Sequence, residues 1–254
     1  MLLTRCSHKW IQSRCEEWGY LGRNLCLLQL QAIVSLSPMS RTIHWPSTTF
    51  VQSVADPKLF PDIDLPQIAV AGHSNVGKSS LMNALFGRKV LVKTSKNPGC
   101  TRLLNLFDVD DQILVVDLPG YGYARAPKKE QKRWITMIEG YMANTDLKLV
   151  LLLLDIRHGP KDSDMQLIEY LNEAGLRWVP VATKADKLSG NARGKRLKEM
   201  CEAMGGVLTP VPTSSLKGMG IDKLRALVQE EAFKSPYADL MISSDSAVQK
   251  STDY

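Results

Sequence analysis

No two cysteines in this chain are spaced as C-x-x-C, no apolar run reaches the length of a membrane span, and no segment repeats. Each absence removes a class of protein. The five cysteines are Cys6, Cys15, Cys26, Cys100 and Cys201, and the three in the first 26 residues fit no zinc-site spacing. A disulfide framework does not suit a chain of this type and size, so the usage predicts a reducing, cytoplasmic-type compartment. The longest apolar stretch of the N-terminal region, Leu25 to Leu36, is interrupted by Gln29 and Gln31, which predicts no stable membrane insertion. Neither sign of charge dominates. The formal net charge is +6, and residues 1–45 hold Arg5, Lys9, Arg14, Arg23 and Arg41 against Glu16 and Glu17. That balance permits a nucleic-acid partner without demanding one.

What is present is an ordinary globular composition, 44% apolar and 23% charged, in 254 residues. This is enough for one sizeable α/β core with tails, or for two small domains. Residues 1–45 are expected to form an N-terminal extension, and three origins stay open for it. It can be sequence upstream of a start at Met39, a leader that would direct the protein to an organelle matrix, or a disordered arm. The acidic pair Glu16-Glu17 weighs against a transit peptide. Residues 46–234 are expected to be the folded domain, and the polar, Ser-rich segment 235–254 a disordered tail.

From Phe50 onward, short apolar runs alternate with helical patterns, which predicts an α/β fold. Strands are expected at Gln67–Ala71, Leu103–Val109, Gln112–Asp117, Lys148–Asp155, Trp178–Thr183 and Val207–Pro212. They form a mostly parallel six-stranded sheet with one antiparallel edge strand, because Asp110-Asp111 reads as a hairpin turn. The run Leu149 to Leu154 is apolar on both faces and so belongs at the centre. Helices are expected at Ser80–Phe86, Lys128–Asn144, Asp162–Ala174, Ala192–Met204 and Gly220–Phe233, with Pro57–Pro66 as a connector.

Gly72-His73-Ser74-Asn75-Val76-Gly77-Lys78-Ser79 follows the first strand and opens a helix. This is the phosphate-binding pattern G-x-x-x-x-G-K-S in its working context. Backbone N–H groups cradle the phosphates, Lys78 reaches the β- and γ-phosphates, and the Ser79 hydroxyl ligates Mg²⁺. Asp117-Leu118-Pro119-Gly120 ends a later strand. There Asp117 acts on Mg²⁺ through water, and the Gly120 N–H senses a γ-phosphate. Between them, Gly99-Cys100-Thr101-Arg102 offers a threonine that completes Mg²⁺ coordination when the γ-phosphate is present. Lys78, Thr101 and Gly120 are thus the candidate catalytic contacts.

Thr183-Lys184-Ala185-Asp186 follows the strand holding Val179 and Val181. A carboxylate at Asp186 accepts from guanine N1–H and N2–H₂, whereas adenine presents an acceptor at N1. Lys184 lays its stem along the base and the loop. Thr213-Ser214-Ser215 offers backbone N–H groups to guanine O6. Order and spacing together favour GTP or GDP over adenine nucleotides.

Several strings taken together resemble the EngB (YihA/YsxC) family of translation-factor-type GTPases: Asn75-Val76-Gly77-Lys78-Ser79-Ser80-Leu81, Pro98 to Arg102, Asp117-Leu118-Pro119-Gly120-Tyr121-Gly122-Tyr123-Ala124, Asp155-Ile156-Arg157-His158-Gly159 and Thr183 to Lys187. The similarity runs over about residues 45–234. It implies a three-layer P-loop NTPase fold of the Ras-like G-domain type, GTP and Mg²⁺ binding, and a role in assembling the large ribosomal subunit. It also implies a need for the protein in normal cell division and septation. Ribosomal particles, through the large subunit and rRNA, are the implied partner, and the chain is expected to be a monomer. His73 and Cys100 depart from the usual family residues at positions that contribute mainly backbone.

Where many GTPases carry a glutamine that orients the attacking water, this chain has Tyr121. Slow intrinsic hydrolysis follows, completed by a partner, a monovalent cation or both. Asn75 stands where potassium-activated relatives carry an ion-coordinating asparagine; the alternative is that it only shapes the loop. Two basic segments can face RNA or simply be solvated: Arg125, Lys128, Lys129, Lys132 and Arg133, and then Lys184, Lys187, Arg193, Lys195, Arg196 and Lys198. Trp134 reads as core, and Arg157 is expected against a carboxylate, with His158 no general base. Two rival functions remain: an ATP-dependent kinase or ATPase, and a septum- or membrane-associated GTP-dependent interaction protein without a ribosomal role.

Overall fold

The computed structural model describes residues 42–92, 103–121, 136–142 and 145–234. Its frame is set by two strands that are apolar on both sides. Every residue of β2 (Gln67–Gly72) is buried, as are the last seven of β5 (Leu147–Asp155). Successive side chains of a strand point to opposite faces. Ile68 and Val70 therefore pack with Leu149, Leu151 and Leu153, while Ala69 and Ala71 pack with Val150, Leu152 and Leu154 on the other side.

Helices cover both faces, as such strands require. After β2, α1 (Lys78–Leu85) places Leu81, Met82 and Leu85 on one face, joined by Leu224 and Val228 of α5 (Ile221–Ala232). The opposite face is covered by α2 (residues 136–142), α3 (Asp162–Glu173) and α4 (Gly190–Ala203), through Ile138, Tyr141, Leu167, Leu171 and Met200. The result is a three-layer α/β fold.

The remaining strands are β1 (Thr49–Val54), β3 (Leu104–Val109), β4 (Ile113–Asp117), β6 (Trp178–Thr183) and β7 (Val211–Pro212), in the order β1-β3-β4-β2-β5-β6-β7. Strand β3 runs antiparallel to both β1 and β4, and the other pairings are parallel. The mostly parallel sheet with an antiparallel edge matches the sequence expectation, but seven strands replace six. The addition, β1, is largely exposed and so carries no buried-run signal. It pairs with β3 and sets Phe50 edge-on to Phe107, ring centroids 5.6 Å apart, and its register shifts between Phe50 and Gln52. A bulge of this kind suits an edge strand. Strand β7 is shorter than expected, because Pro210 and Pro212 limit ladder pairing and Val207 is exposed.

Ile43 and Trp45, expected to belong to the extension, are instead buried with α1 and α5. Arg225 stacks over Trp45 at 5.8 Å and donates to the Leu85 carbonyl at 2.7 Å and to that of Ala84 at 3.2 Å, closing the C-terminus of α1. The rest of the expected extension, residues 1–41, and the expected tail 235–254 lie outside the described residues. Among the described residues, no helix is long and apolar enough to cross a membrane.

Strand β2 lies between β4 and β5, and the chain passes from one side of it to the other after β4. The carboxyl end of β2 is thus a topological switch point, the place where open α/β sheets bind ligands.

Candidate nucleotide site

The segment between β2 and α1 can form only with glycine at two places. A Cβ on Gly72 would lie 2.9 Å from Val76 Cγ1 and 3.0 Å from Leu153 Cβ, and Gly77 has φ +107°. Asn75 also adopts a left-handed backbone, φ 65°, which asparagine tolerates better than most residues. The loop then delivers Lys78 and Ser79 into the first turn of α1, where N–H groups and the helix dipole favour an anion. Two side chains from the end of β6 pin it from outside. Thr183 Oγ1 donates to the Val76 carbonyl at 2.7 Å, and Lys184 Nζ to that of Asn75 at 2.8 Å.

Asp117 ends β4 beside the loop, almost fully buried and ion-paired with Lys78. Its second oxygen accepts from Asn105 Nδ2 at 3.3 Å, across the β3–β4 register. Leu118 N–H donates to the Val70 carbonyl at 3.0 Å, extending the ladder, and Leu118 and Pro119 are buried. Gly120 then passes against the phosphate loop, since a Cβ on it would be 3.2 Å from Ser74 Oγ. Ser74 N–H in turn donates to the Tyr121 carbonyl at 3.0 Å, while His73 Nδ1 sits 2.9 Å from the Ser74 carbonyl.

Tyr121 turns away from this surface. Its hydroxyl donates to Asp164 Oδ1 at 2.7 Å inside the core. Burial first, and then the Asp164 charge, push the phenol well above its ordinary pKa. Asp164 also accepts from the Lys161 N–H at 2.8 Å, at the N-terminus of α3. Sequence reasoning saw the replaced glutamine but missed Asp164. A signal existed: Asp164 shares the buried helix face of Leu167, Ile168 and Leu171, an acid where only apolar residues are expected.

On the far side of the loop, Asp186 accepts from Ser214 Oγ at 2.7 Å, which lowers its pKa, and Lys187 Nζ lies 3.5 Å away. Ala185 N–H is tied to the Thr213 carbonyl at 2.9 Å. The three expected N–H donors to guanine O6 are not equivalent. Thr213 N–H already donates to Ala182 at 2.8 Å and Ser214 N–H to Met219 at 2.9 Å, which leaves Ser215 of the three. The expected contacts at Gly99, Cys100, Thr101 and Arg102 lie outside the described residues, as do Trp134 and the first basic segment. Arg157 is indeed against a carboxylate, that of Asp155, and His158 is exposed.

A family model described as "50S ribosome-binding GTPase" matches residues 67–184. A relative from Desulfosudis oleivorans named "Probable GTP-binding protein EngB" is 45% identical over 178 residues, covering 69% of this chain and 90% of the relative. One of the same name from Aliivibrio fischeri is 42% identical over 196 residues, covering 76% of this chain and 91% of that one. This chain belongs to the EngB family. Among solved structures, one described as a "probable GTP-binding protein engB" aligns with TM-score 0.53 and 24% identity, covering 64% of this chain and 97% of the other. Aquifex aeolicus Era bound to GDP and aluminium fluoride aligns with TM-score 0.55 and 24% identity, covering 67% and 58%. At that identity they establish a shared fold, that of P-loop GTPases. The EngB-family chain is a GTP-binding GTPase.

The second basic segment of this EngB-family chain is less free than its charge suggests. Lys184 is engaged at the loop and Lys187 faces Asp186. Arg196 donates to the Ile156 carbonyl at 3.0 Å and pairs with Glu199 at 2.9 Å, while Lys198 approaches Glu202 at 3.9 Å. Its residues are partly structural, and the surface they offer a polyanion is smaller than the run implies.

Proposed function

We propose that this chain is a GTP-driven switch that acts on ribosomal particles during assembly of the large subunit, and that normal division and septation depend on it through that role. The observation that carries the nucleotide part is the joining of Asp186 and its Ser214 brace to a phosphate loop that Thr183 and Lys184 hold in place. In this reading Asp186 takes guanine N1–H and N2–H₂, the Ser215 N–H takes O6, and Lys78 takes the β- and γ-phosphates. Gly72 to Ser79 wrap the phosphates, and the Gly120 N–H reads the γ-phosphate. The description of the matching family model supports the ribosomal part.

The donors around Lys78 suit a hard cation: the Ser79 hydroxyl, the Asp117 carboxylate and phosphate oxygen are all oxygen ligands. Ser79 and Thr101 would hold Mg²⁺ directly and Asp117 through water. Bound there, the ion neutralises charge between the phosphates. Because Tyr121 faces Asp164, no side chain at that position orients water, so intrinsic turnover is slow and a partner or K⁺ accelerates it. The left-handed backbone of Asn75 gives that residue a loop-shaping role whether or not K⁺ binds. Residues 46–234 are read as the folded domain, and the burial of Ile43 and Trp45 against α1 and α5 supports counting those two residues with it.

Competition among GTP, ATP and XTP, with and without ribosomal subunits and a non-hydrolysable GTP analogue, tests the reading. Selective GTP binding and analogue-dependent co-sedimentation with the large subunit are expected. Tighter ATP binding would overturn the guanine assignment, and the absence of nucleotide-dependent association would favour a septal or membrane role. Swapping Na⁺ for K⁺ in the turnover assay decides the cation's part.

A further inference from the structure

Asp155, at the carboxyl end of β5, is nearly buried and touches neither Lys78 nor Asp186, yet four donors from two residues converge on it. Arg157 closes a two-pronged pair, Nε to Oδ1 at 2.9 Å and Nη2 to Oδ2 at 2.7 Å, and adds its own N–H to Oδ1 at 3.0 Å. Lys184 Nζ donates to Oδ2 at 2.9 Å. The same ammonium donates to the Asn75 carbonyl, and its stem crosses the phosphate loop: a Cβ on Gly77 would lie 3.7 Å from Lys184 Cε. Burial alone would raise the Asp155 pKa, but the hydrogen bonds from Arg157 and Lys184 outweigh it and hold the carboxyl well below the usual carboxylate range.

A lysine ammonium on a four-carbon stem is rotationally free unless its partners fix it. Here a carboxylate on one side and a loop carbonyl on the other leave Lys184 stretched between β5 and the phosphate loop. Arg157 matters because a planar fork holds a carboxylate in one orientation, which a point charge does not. The backbone of Lys184 is itself left-handed, φ 59°, a conformation the surroundings must support.

We propose that Asp155 is a positioning residue for guanine nucleotides: braced by Arg157, it holds Lys184 against the phosphate loop, so that the base loop and the phosphate loop form one rigid cradle. This rests on the reading of Thr183 to Asp186 as the base-recognition loop. The clamp touches neither Gly120 nor the γ-phosphate side, so its loss weakens GTP and GDP alike and speeds the release of both.

The test is a double-mutant cycle read with a fluorescent GDP analogue, with thermal unfolding of the nucleotide-free protein measured in parallel. Asp155→Asn is expected to weaken GDP and GTP by about tenfold each, as loss of a charge-assisted hydrogen bond in a nearly buried site does. Because it acts through Lys184, Asp155→Asn combined with Lys184→Gln should bind no more weakly than Lys184→Gln alone. Additive losses, wild-type binding by Asp155→Asn, or a change in the GTP-to-GDP ratio would overturn the proposal. Asp155→Asn should lower the unfolding temperature in either case, so the cycle decides: a purely structural role would add to the Lys184 loss. Should Asp155→Asn fail to fold, Arg157→Gln, whose side chain is 43% exposed, carries the same cycle with an expected loss of about threefold. Asp186→Asn separates the two readings. If it keeps wild-type guanine preference, the base-recognition reading has failed; if it shifts to xanthine while the cycle is additive, only the clamp has failed.

Discussion

The side of the site that we assign to guanine and the side that we assign to the γ-phosphate are held by different kinds of contact. On the guanine side, side chains converge: Thr183 on Val76, Lys184 on Asn75 and Ser214 on Asp186. On the γ-phosphate side the backbone does the positioning, with Gly120 against Ser74 and the Ser74 N–H on the Tyr121 carbonyl. The first side chain after that turn, Tyr121, is in the core on Asp164. Preorganised donors favour binding whether or not the bond breaks, whereas rate requires a group aimed at the reacting water. In the proposed reading the comparison separates the two tasks: side chains brace the recognition half, while among the described residues Tyr121 offers no water-orienting group.

Lys78 belongs to both sides, and its removal should have the largest effect. Lys78→Ala strips the phosphates of an ammonium, a loss worth about 3 kcal/mol, or roughly 100-fold in GTP affinity, and separately leaves the buried Asp117 carboxylate without its ion pair in the nucleotide-free protein. Calorimetric titration reads it directly; a dissociation constant within threefold of wild type would contradict the assignment. Asp186→Asn acts on the guanine side alone. Guanine affinity should fall by roughly 10- to 100-fold while XTP gains, because the amide now donates where the carboxylate accepted. The turnover of bound nucleotide should stay close to wild type, which keeps the two sides distinct.

The legible parts were those written locally. Strands β2 and β5 declare themselves by being apolar on both faces, and the phosphate loop, Asp117 and Asp186 sit at strand ends that any parallel sheet gathers on one edge. The contacts between those strings could not be read the same way. Lys184 meets Asn75 across 109 residues of sequence and Asp155 across 29, and Tyr121 meets Asp164 across 43. No pattern within a window carries such pairings. The Thr213 and Ser214 N–H groups looked available because their acceptors, on Ala182 and Met219, are fixed only by β7 pairing and the turn that follows. Strand β1 was missed for the opposite reason: it is mostly exposed and owes its place to ladder pairing with β3, the Phe50–Phe107 contact and the burial of Val54 alone among its residues.

Tyr121→Phe sharpens the γ-phosphate side. It removes the hydroxyl and leaves Asp164 Oδ1 buried without that donor, at about 1–3 kcal/mol of stability. For a domain of this size the unfolding temperature should drop by roughly 2–4 °C per kcal/mol. GTP turnover per folded molecule should not change, since the ring points into the core. A tenfold loss of turnover at an unchanged unfolding temperature would mean that Tyr121 works at the nucleotide after all.

The smallest effect is a pH dependence that belongs to the guanine side. Asp155 has a folded-state pKa held below its unfolded value of about 4, so its stabilising contribution is complete above that value. It is lost only as pH falls below about 4 toward the depressed folded pKa, where protonation ends the pairing with Arg157 and Lys184. Stability measured by denaturant titration between pH 7 and 4.5 should therefore be insensitive to this group. Below pH 4 the wild type should lose stability more steeply than Asp155→Asn, whose amide does not titrate. Arg157 is partly exposed and solvent-screened, so the difference in slope should be modest, and it should shrink further at high salt. Parallel acid limbs in the two proteins would mean that Asp155 is not held as its four donors suggest, and the guanine side would then lose its claim to be the more tightly braced half of the site.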